Sequence, residues 1–281
     1  METINKFLTD LMTATAWTME KPKAYGSFHL TFTIVGFAVC VLLAYLLRNL
    51  GERGNRRLLT SVGLFLIITE VYKQLFYTYY IGGGEYQWWI FPFQLCSIPM
   101  YLCVIAPWVK SKRLSRAMYA FMTTFNLLGG FITFFEPSGI VHGYWTLTLH
   151  AFIWHMALVF IGFYLVASGR GATEKQHLVG AILTFLVLCV VAFCINLLFW
   201  GPSNGSINMF FVGPKNSSLI VFKQISEAAG WYVSTLLYIP AVCAGASLFF
   251  LPVYLWNKKK KSASPATENA ESPEKVPTRV S

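Results

Sequence analysis

The sequence predicts an all-α polytopic membrane protein with seven transmembrane helices, an N-terminus on the outer side and a C-terminus in the cytoplasm. Of the 281 residues, 56% are hydrophobic and only 12% are charged, whereas a soluble domain has roughly 25% charged residues. Two further observations support this class: apolar runs long enough to cross a bilayer, and an unequal distribution of Lys and Arg between the two sides. We therefore predict a multi-pass protein of the cell membrane.

Seven apolar runs in the sequence reach the length of about 20 residues that a spanning helix needs. They are Phe28 to Arg48, Leu58 to Tyr80, Trp88 to Val109, Leu114 to Phe135, Tyr144 to Ala167, Leu178 to Trp200 and Trp231 to Trp256. The chain divides accordingly into an outer N-terminal segment (residues 1–27), the transmembrane domain (28–256) and a disordered basic cytoplasmic tail (257–281). The first segment forms either a surface coil or an interfacial helix, whose apolar residues would be Ile4, Phe7, Leu8 and Leu11.

The orientation follows from the excess of Lys and Arg that is typical of cytoplasmic loops. One side of the predicted bundle carries fourteen of these residues: Arg48, Arg53, Arg56, Arg57, Lys110, Lys112, Arg113, Arg116, Arg170, Lys175 and Lys258 to Lys261. The other side carries five, namely Lys6, Lys21, Lys23, Lys215 and Lys223. Because the basic residues form short clusters between apolar runs, we predict membrane lipids and not nucleic acid as partners. The cluster Lys258 to Lys261 is expected to bind anionic lipid of the inner leaflet.

All of the cysteines lie inside apolar runs, at positions 40, 96, 103, 189, 194 and 243. No disulfide framework is expected there, and no CxxC spacing occurs, so we predict no metal site. No cofactor is predicted either. Most of these thiols are expected to be small packing residues.

Polar side chains within the predicted spans share one depth near the outer surface. At a rise of about 1.5 Å per residue, this layer contains Glu70 and Lys73 of the second span, Cys96 of the third, Asn126 of the fourth and His155 of the fifth. Ionisable groups within spans are costly and often mark function, so the layer predicts a polar cavity that opens outward. Alternatively, Glu70 and Lys73 form a self-contained ion pair, because residues three apart share one helix face.

The histidines of the fifth span cannot all face this layer. His150 and His155 are five residues apart, which corresponds to about 140° around a helix axis. We favour His155 for the cavity because it lies nearer the depth of Glu70, and we expect His150 and His142 at the interface. For either His150 or His155, simple hydrogen bonding within the bundle is the alternative role.

The third span contains the stretch "WWIFPFQLCSIPMYLCVIAPW", in which a proline, a glutamine and a cysteine lie close together. Pro92 lacks an amide hydrogen and disfavours helical conformation at Phe91, so a helix is expected to begin or break there. Cys96 would then lie about one turn into the new helix, where the helix dipole favours a thiolate. Because lipid burial opposes ionisation, a reactive Cys96 also needs a polar cavity or an adjacent base, for which His155 is the candidate.

Several motifs resemble those of the YwaF-like family of integral membrane proteins, across residues 28–256. In that family a proline is followed by an aromatic residue or Leu, then usually His, then Leu-Cys, and "FPFQLCSIPMYL" is similar. The other similar blocks are "YGSFHLTF" with His29, "TEVYKQLF" with Glu70, "IWHMALVF" with His155 and "INMFFVGPKNSSL" with Asn208 and Pro214. Gln94 stands where His is usual, and a glutamine cannot transfer a proton.

The resemblance implies chemistry through a eukaryotic branch of Cys-dependent phospholipid acyltransferases. It makes Cys96 the nucleophile and His155 the general base, with Glu70 or Asn126 orienting the histidine. Substrate-binding roles are expected for Gln94, Asn126, Lys73, His29 and Asn208. The alternative is a carrier or small-ligand receptor, in which Glu70, Lys73 and His155 bind a polar solute or relay protons.

Overall fold

The computed structural model describes residues 2–262, and all the regular elements in that range are helical. The α-helices are α1 (Glu2–Ala14), α2 (Ser27–Leu47), α3 (Glu52–Leu75), α4 (Ile98–Ile105), α5 (Lys112–Phe135), α6 (Trp145–Ala167), α7 (Lys175–Leu198), α8 (Ile220–Ala229) and α9 (Trp231–Ser262). A π-helical segment, Phe76–Ile81, extends α3. Within the described residues, six helices are long and apolar enough to cross a membrane: α2, extended α3, α5, α6, α7 and α9. The protein is therefore an all-α polytopic membrane protein, as predicted.

The third predicted span is a broken segment and not one continuous helix. Short 3₁₀ turns at Trp88–Ile90, Leu95–Ser97 and Ala106–Trp108 flank α4. The segment nevertheless lies along α3 between Gln74 and Thr60. At one end Gln74 Nε2 donates to the carbonyl of Ile90 at 2.7 Å, and at the other Trp108 Nε1 donates to Thr60 Oγ1 at 3.1 Å. Six of the seven predicted crossings are thus long continuous helices, and this broken segment occupies the place of the third.

Basic side chains meet at one end of the bundle, which we call the basic end. Arg170 Nη2 lies 3.0 Å from Glu52 Oε1 at the start of α3. Arg116, in the first turns of α5, donates to the carbonyls of Gly169 and Arg170 at 3.1 and 2.8 Å. The loops at this end are those whose Lys and Arg content predicts a cytoplasmic position. The opposite end is called the outer end below.

Helix α5 lies at the centre of the bundle, where it contacts α4, α6, α7 and α9. Helices α5 and α6 bury most of their side chains, whereas α2 and α9 present apolar side chains to their surroundings. Ile34 on α2 is 67% exposed and Leu236 on α9 is 72% exposed. Lipid tails are as apolar as these side chains, so their exposure costs nothing in a bilayer.

Local chemistry explains where several helices begin and end. The extended α3 stops at a glycine triplet in which Gly83 and Gly84 have φ values of +59° and +101°, a region that glycine occupies without strain. Helix α5 begins after Ser111, whose hydroxyl accepts a hydrogen bond from the Leu114 amide at 3.4 Å and so satisfies a free N–H group of the first turn.

The N-terminal segment begins with helix α1. The residues between α1 and α2 (15–26), which we call the strap, pass over the outer end of the bundle. Ile4 and Phe7 of α1 are 62% and 64% exposed, and their interfacial position remains a prediction. The strap lies beside the start of α6: the Trp145 amide donates to the Trp17 carbonyl at 2.8 Å, and the Met19 amide donates to the Gly143 carbonyl at 2.9 Å. The strap therefore covers the end of the bundle where the polar layer was predicted.

At the C-terminus, α9 continues to Ser262, past the predicted start of the tail at residue 257. The helix thus includes the lysine cluster. The remainder of the predicted tail, residues 263–281, lies outside the described residues.

Candidate functional site

Cys96 lies in the 3₁₀ turn Leu95–Ser97, directly before α4 and not one turn inside it. The break that Pro92 predicts is present: Gln94 has an extended backbone with φ −84° and ψ 162°. The bend is held against α6, because the indole Nε1 of Trp154 donates to the Cys96 carbonyl at 3.1 Å. The partly exposed Cys96 side chain therefore lies where the chain leaves helical geometry, at the junction of the broken segment with α6.

The predicted ion pair forms on α3 and lies beside this cysteine. Lys73 Nζ is 2.9 Å from Glu70 Oε2, and the two side chains are 22% and 4% exposed. Gln74 Nε2 donates to the other carboxylate oxygen of Glu70 at 2.6 Å. The Lys73 ammonium lies 5.9 Å from the centre of the Trp154 ring, and the same indole donates to the Cys96 carbonyl. The ion pair is therefore part of the polar layer and not separate from it.

His155 faces the interface between α6 and α5. Its Nδ1 lies 2.7 Å from the carbonyl of Ala151 on its own helix, and its ring centre is 6.5 Å from that of Phe134 on α5. This backbone carbonyl orients the ring, the role expected of Glu70 or Asn126. Asn126 instead donates to the carbonyls of Met122 and Leu158 at 3.1 and 2.9 Å, joining α5 to α6, while its Oδ1 is buried without a partner.

The Gln94 side chain is hydrogen-bonded to the outer loop between α7 and α8. Its Nε2 donates to the Asn208 carbonyl at 3.1 Å, and its Oε1 accepts from the Phe210 amide at 3.1 Å. The loop needs this support because Phe210 and Phe211 both have φ of +55°, a strained value for bulky residues. A side-chain amide donates and accepts at the same time, which gives a structural reason for glutamine at this position.

Asn208, a predicted substrate-binding residue in this loop, bonds to the backbone of the loop itself. Its Nδ2 donates to the Lys215 carbonyl at 3.0 Å, and its Oδ1 accepts from the Gly213 amide at 3.2 Å. Both ends of its amide are therefore engaged by backbone.

A model of the TMEM164 family, a membrane protein family, matches residues 24–261. The chain belongs to the TMEM164 family. The match includes the six long helices and the broken segment, so the family assignment and the fold agree on an integral multi-pass membrane protein. No curated protein and no solved structure matches the chain. The family model does not support the YwaF name that the motifs suggested, so the resemblance holds at the level of an integral membrane protein.

In this TMEM164-family protein, His29 lies apart from the thiol. It is 1% exposed, its Nδ1 accepts from the Tyr25 amide at 3.3 Å, and its ring lies 6.0 Å from that of Phe152. Phe152 and Trp154 are two residues apart on α6 and so point about 200° away from each other. His29 and Cys96 therefore lie on opposite faces of α6.

Two residues that the structure places beside Cys96 or its neighbours were not predicted from the sequence of this TMEM164-family protein, since His150 was expected at the interface and Trp154 was not considered. The His150 ring stacks on the Trp154 indole with centres 5.5 Å apart, and its Nε2 is buried without a partner. The spacing of four residues was an available signal, because such residues share one helix face. The tryptophan hydrogen bond to the Cys96 bend had no sequence signal.

Two cavities in the described part of the TMEM164-family chain have apolar or mixed linings. The larger, of ≈ 850 Å³, is an apolar groove between α2 and α6 whose lining includes Phe32, Val39, Met156 and Phe160. The smaller, of ≈ 350 Å³, lies at the basic end and is lined by Thr173, Glu174, Tyr254, Asn257, Lys258 and Ser262. Neither is lined by Cys96, so the outward-facing polar cavity stays a prediction.

Proposed function

We propose that this protein is a Cys-dependent lipid acyltransferase with Cys96 as its nucleophile. One observation carries the proposal: the half-buried Cys96 lies at a non-helical bend of a membrane segment, and its carbonyl is bonded to the Trp154 indole, whose ring lies 5.9 Å from the Lys73 ammonium. Cys103, seven residues further along the same segment, is 0% exposed and packs against Met122. Burial opposes the thiolate, which is the nucleophilic form, and a nearby ammonium favours it.

The first half-reaction would transfer an acyl group from a lipid ester to Cys96. The sulfur attacks the ester carbonyl carbon, the carbon–oxygen bond breaks, and the departing lipid oxygen takes up the proton that the thiol had given to a base. His155 is the proposed base: a carbonyl can only accept, so the hydrogen bond to Ala151 places its hydrogen on Nδ1 and leaves Nε2 free to take a proton. Its ring lies towards Phe134 on α5, so proton transfer from Cys96 requires a rotation of the side chain or a bridging water. In the second half-reaction an acceptor oxygen attacks the thioester, and the carbon–sulfur bond breaks.

The same proposal names lipids as partners on both sides of the membrane. The groove of ≈ 850 Å³ between α2 and α6 offers an apolar surface for a bound lipid tail on the face of α6 opposite Cys96. At the basic end, the cluster Lys258 to Lys261 would bind anionic lipid of the inner leaflet, with the protein in the cell membrane.

Acyl-enzyme formation tests this function directly. Purified protein in detergent would be incubated with a phospholipid that carries an alkyne-tagged acyl chain, and the labelled protein would be treated with neutral hydroxylamine, which cleaves thioesters. We expect hydroxylamine-sensitive label on the wild type and on Cys103→Ala, and its loss in Cys96→Ala. Label that persists in Cys96→Ala would overturn the proposal.

A carrier is the second candidate, because α3 buries a Glu70–Lys73 ion pair within a membrane span, and intramembrane charges often mark ion or solute paths. Proton uptake into proteoliposomes distinguishes the two functions. A carrier would keep full uptake in Cys96→Ala and lose it in Glu70→Gln, whereas an acyltransferase would show no uptake in any variant.

A further inference from the structure

The smaller cavity, at the basic end of the bundle, is lined by side chains that all carry a polar group. The lining residues are Thr173, Glu174, Tyr254, Asn257, Lys258 and Ser262, around a volume of ≈ 350 Å³. The last four belong to α9 and are spaced three and four residues apart, so they share one face of that helix. The other two directly precede α7. The proposed reaction uses none of these residues, so the cavity is a separate candidate for binding.

The cavity lies at the level of the bilayer interface. On α9 the apolar residues Leu255 and Trp256 are 52% and 73% exposed, and Asn257 and Lys258 follow directly. A change from apolar to basic residues, with a tryptophan at the boundary, is typical of the membrane–water interface. The basic end is predicted to be cytoplasmic, so the cavity adjoins the headgroups of the inner leaflet.

The α9 side of the lining offers one cation and several acceptors. The ion pairs among the described residues do not include Lys258, whose ammonium suits a phosphate. Asn257 Nδ2 donates to the Val253 carbonyl at 2.9 Å, which leaves its Oδ1 for the cavity. The Ser262 hydroxyl donates to the Lys258 carbonyl at 3.1 Å, so its oxygen can accept a bond from a ligand.

Glu174 restricts the kind of headgroup that fits. Its carboxylate accepts from Gln176 Nε2 at 2.7 Å and caps the first turn of α7, and a carboxylate has room for further donors. A headgroup ammonium would meet four consecutive lysines at 258–261, which repel it. A phosphate with no other group would place a second anion beside the carboxylate. Uncharged hydroxyl groups attached to a phosphate avoid both penalties.

We infer that this cavity binds the headgroup of a phospholipid whose phosphate is esterified to a polyol, as in phosphatidylglycerol. The phosphate pairs with the Lys258 ammonium, and the polyol hydroxyls donate to Glu174 and Asn257. The inference rests on the anionic-lipid contact of the proposed function, which it narrows to one lysine and one class of headgroup. It does not depend on acyl transfer at Cys96.

Native mass spectrometry of the full chain in detergent can count bound lipids as each lipid is titrated. Phosphatidylglycerol would be compared with phosphatidylserine, which has the same net charge but no polyol, and with phosphatidylethanolamine. Lys258→Gln has a matched control in Lys259→Gln, which removes the same charge about 100° away around α9 and outside the lining. Glu174→Gln keeps an oxygen that can cap α7 and removes the carboxylate charge.

We expect the wild type to bind phosphatidylglycerol about tenfold more tightly than phosphatidylserine, since hydrogen bonds to charged groups supply that much. Lys258→Gln should weaken phosphatidylglycerol binding about tenfold, and Lys259→Gln by less than about twofold. Glu174→Gln should abolish the preference for phosphatidylglycerol. A purely electrostatic contact predicts the opposite for this variant, namely tighter binding of every anionic lipid.

The remaining outcomes count against the inference. Equal losses in the two lysine variants, or equal binding of phosphatidylglycerol and phosphatidylserine, overturn it and leave an unspecific anionic-lipid contact. Tighter binding of phosphatidylethanolamine overturns it in favour of a zwitterionic headgroup, and competition by soluble glycerophosphoglycerol at equal concentration contradicts a lipid ligand. A wild type that binds no anionic lipid also overturns the inner-leaflet contact of the proposed function, whereas acylation of Cys96 tests its chemistry separately.

Discussion

The two ends of the bundle both bury polar side chains between α3 and its neighbours, but the network around Asn55 at the basic end pairs both ends of its central amide, whereas the outer end leaves a histidine nitrogen unpaired. At the basic end Asn55, which is 0% exposed, donates to Tyr119 Oη at 3.2 Å and accepts from Tyr164 Oη at 3.0 Å. At the outer end the Glu70–Lys73 pair lies beside Cys96, and His150 Nε2 has no partner.

This difference separates a structural network from a candidate site. A fully paired buried network stabilises one arrangement of its helices, and every atom is already engaged. An unpaired buried atom lowers the stability of the network that contains it, but that atom can still form a hydrogen bond to a ligand. The predictions below test whether the two ends differ in this way.

The largest expected effect is at the outer end. Glu70→Gln leaves the Lys73 ammonium without its carboxylate, and we expect the free energy of unfolding to fall by on the order of 3 kcal/mol, measured by denaturant unfolding in detergent. The double variant Glu70→Gln with Lys73→Met removes both charges and should recover most of that loss. A double variant as unstable as the single one would show that the ion pair is not the cause.

A smaller effect is expected at the basic end. Asn55→Leu leaves two buried tyrosine hydroxyls unpaired and should lower stability by about 2 kcal/mol, whereas Tyr119→Phe removes one bond and should cost about 1 kcal/mol. Acylation of Cys96 should be unchanged in both variants once they are folded. If a folded Asn55→Leu protein lost acylation, the two ends would be coupled and the comparison would fail.

The smallest effect concerns pH. Burial, reinforced by Lys21 and Lys73, lowers the pKa of His142 from its ordinary value of 6.5. The folded state thus favours the neutral ring, so this contribution to stability is present above pH 6.5 and is lost as the pH falls below that value. Melting temperatures at about pH 7.5 and about pH 5.5 should show a smaller acid loss in His142→Asn than in the wild type.

Asn55→Leu provides the comparison for this measurement, because the basic-end network has no group that titrates near neutral pH. Its acid loss should match that of the wild type. An unchanged acid loss in His142→Asn would mean that another group at the outer end controls the pH dependence.

The fold was largely predictable because its main determinants are local. Hydropathy over about 20 residues locates the crossings, and the basic clusters distinguish the two ends. The break at Pro92 was predictable for the same reason, since a proline acts on its own residue and the one before it. The position of Cys96 relative to α4 was not, because the extended backbone at Gln94 depends on a clamp to a loop more than a hundred residues later.

The candidate site was likewise predictable where it depends on position along a helix and unpredictable where it depends on contacts between helices. The depth of Glu70, Lys73 and Cys96 follows from counting along each span, and the structure places these three residues together. The choice between His150 and His155 depends on how α6 is rotated against its neighbours. Sequence reasoning chose by depth alone, and the structure places His150 on the Trp154 face and His155 towards α5.

The sequence by itself determined that this is an all-α multi-pass membrane protein with a basic end and a polar layer near the other end. These properties depend on composition and on distance along a helix axis, which the chain carries residue by residue. Only the tertiary structure decided the partners: the indole that holds the Cys96 bend, the loop that engages Gln94, and the ring nitrogen of His150 that remains unpaired. The physical reason is that a hydrogen bond depends on the rotation and register of two elements at once, and neither element encodes the position of the other.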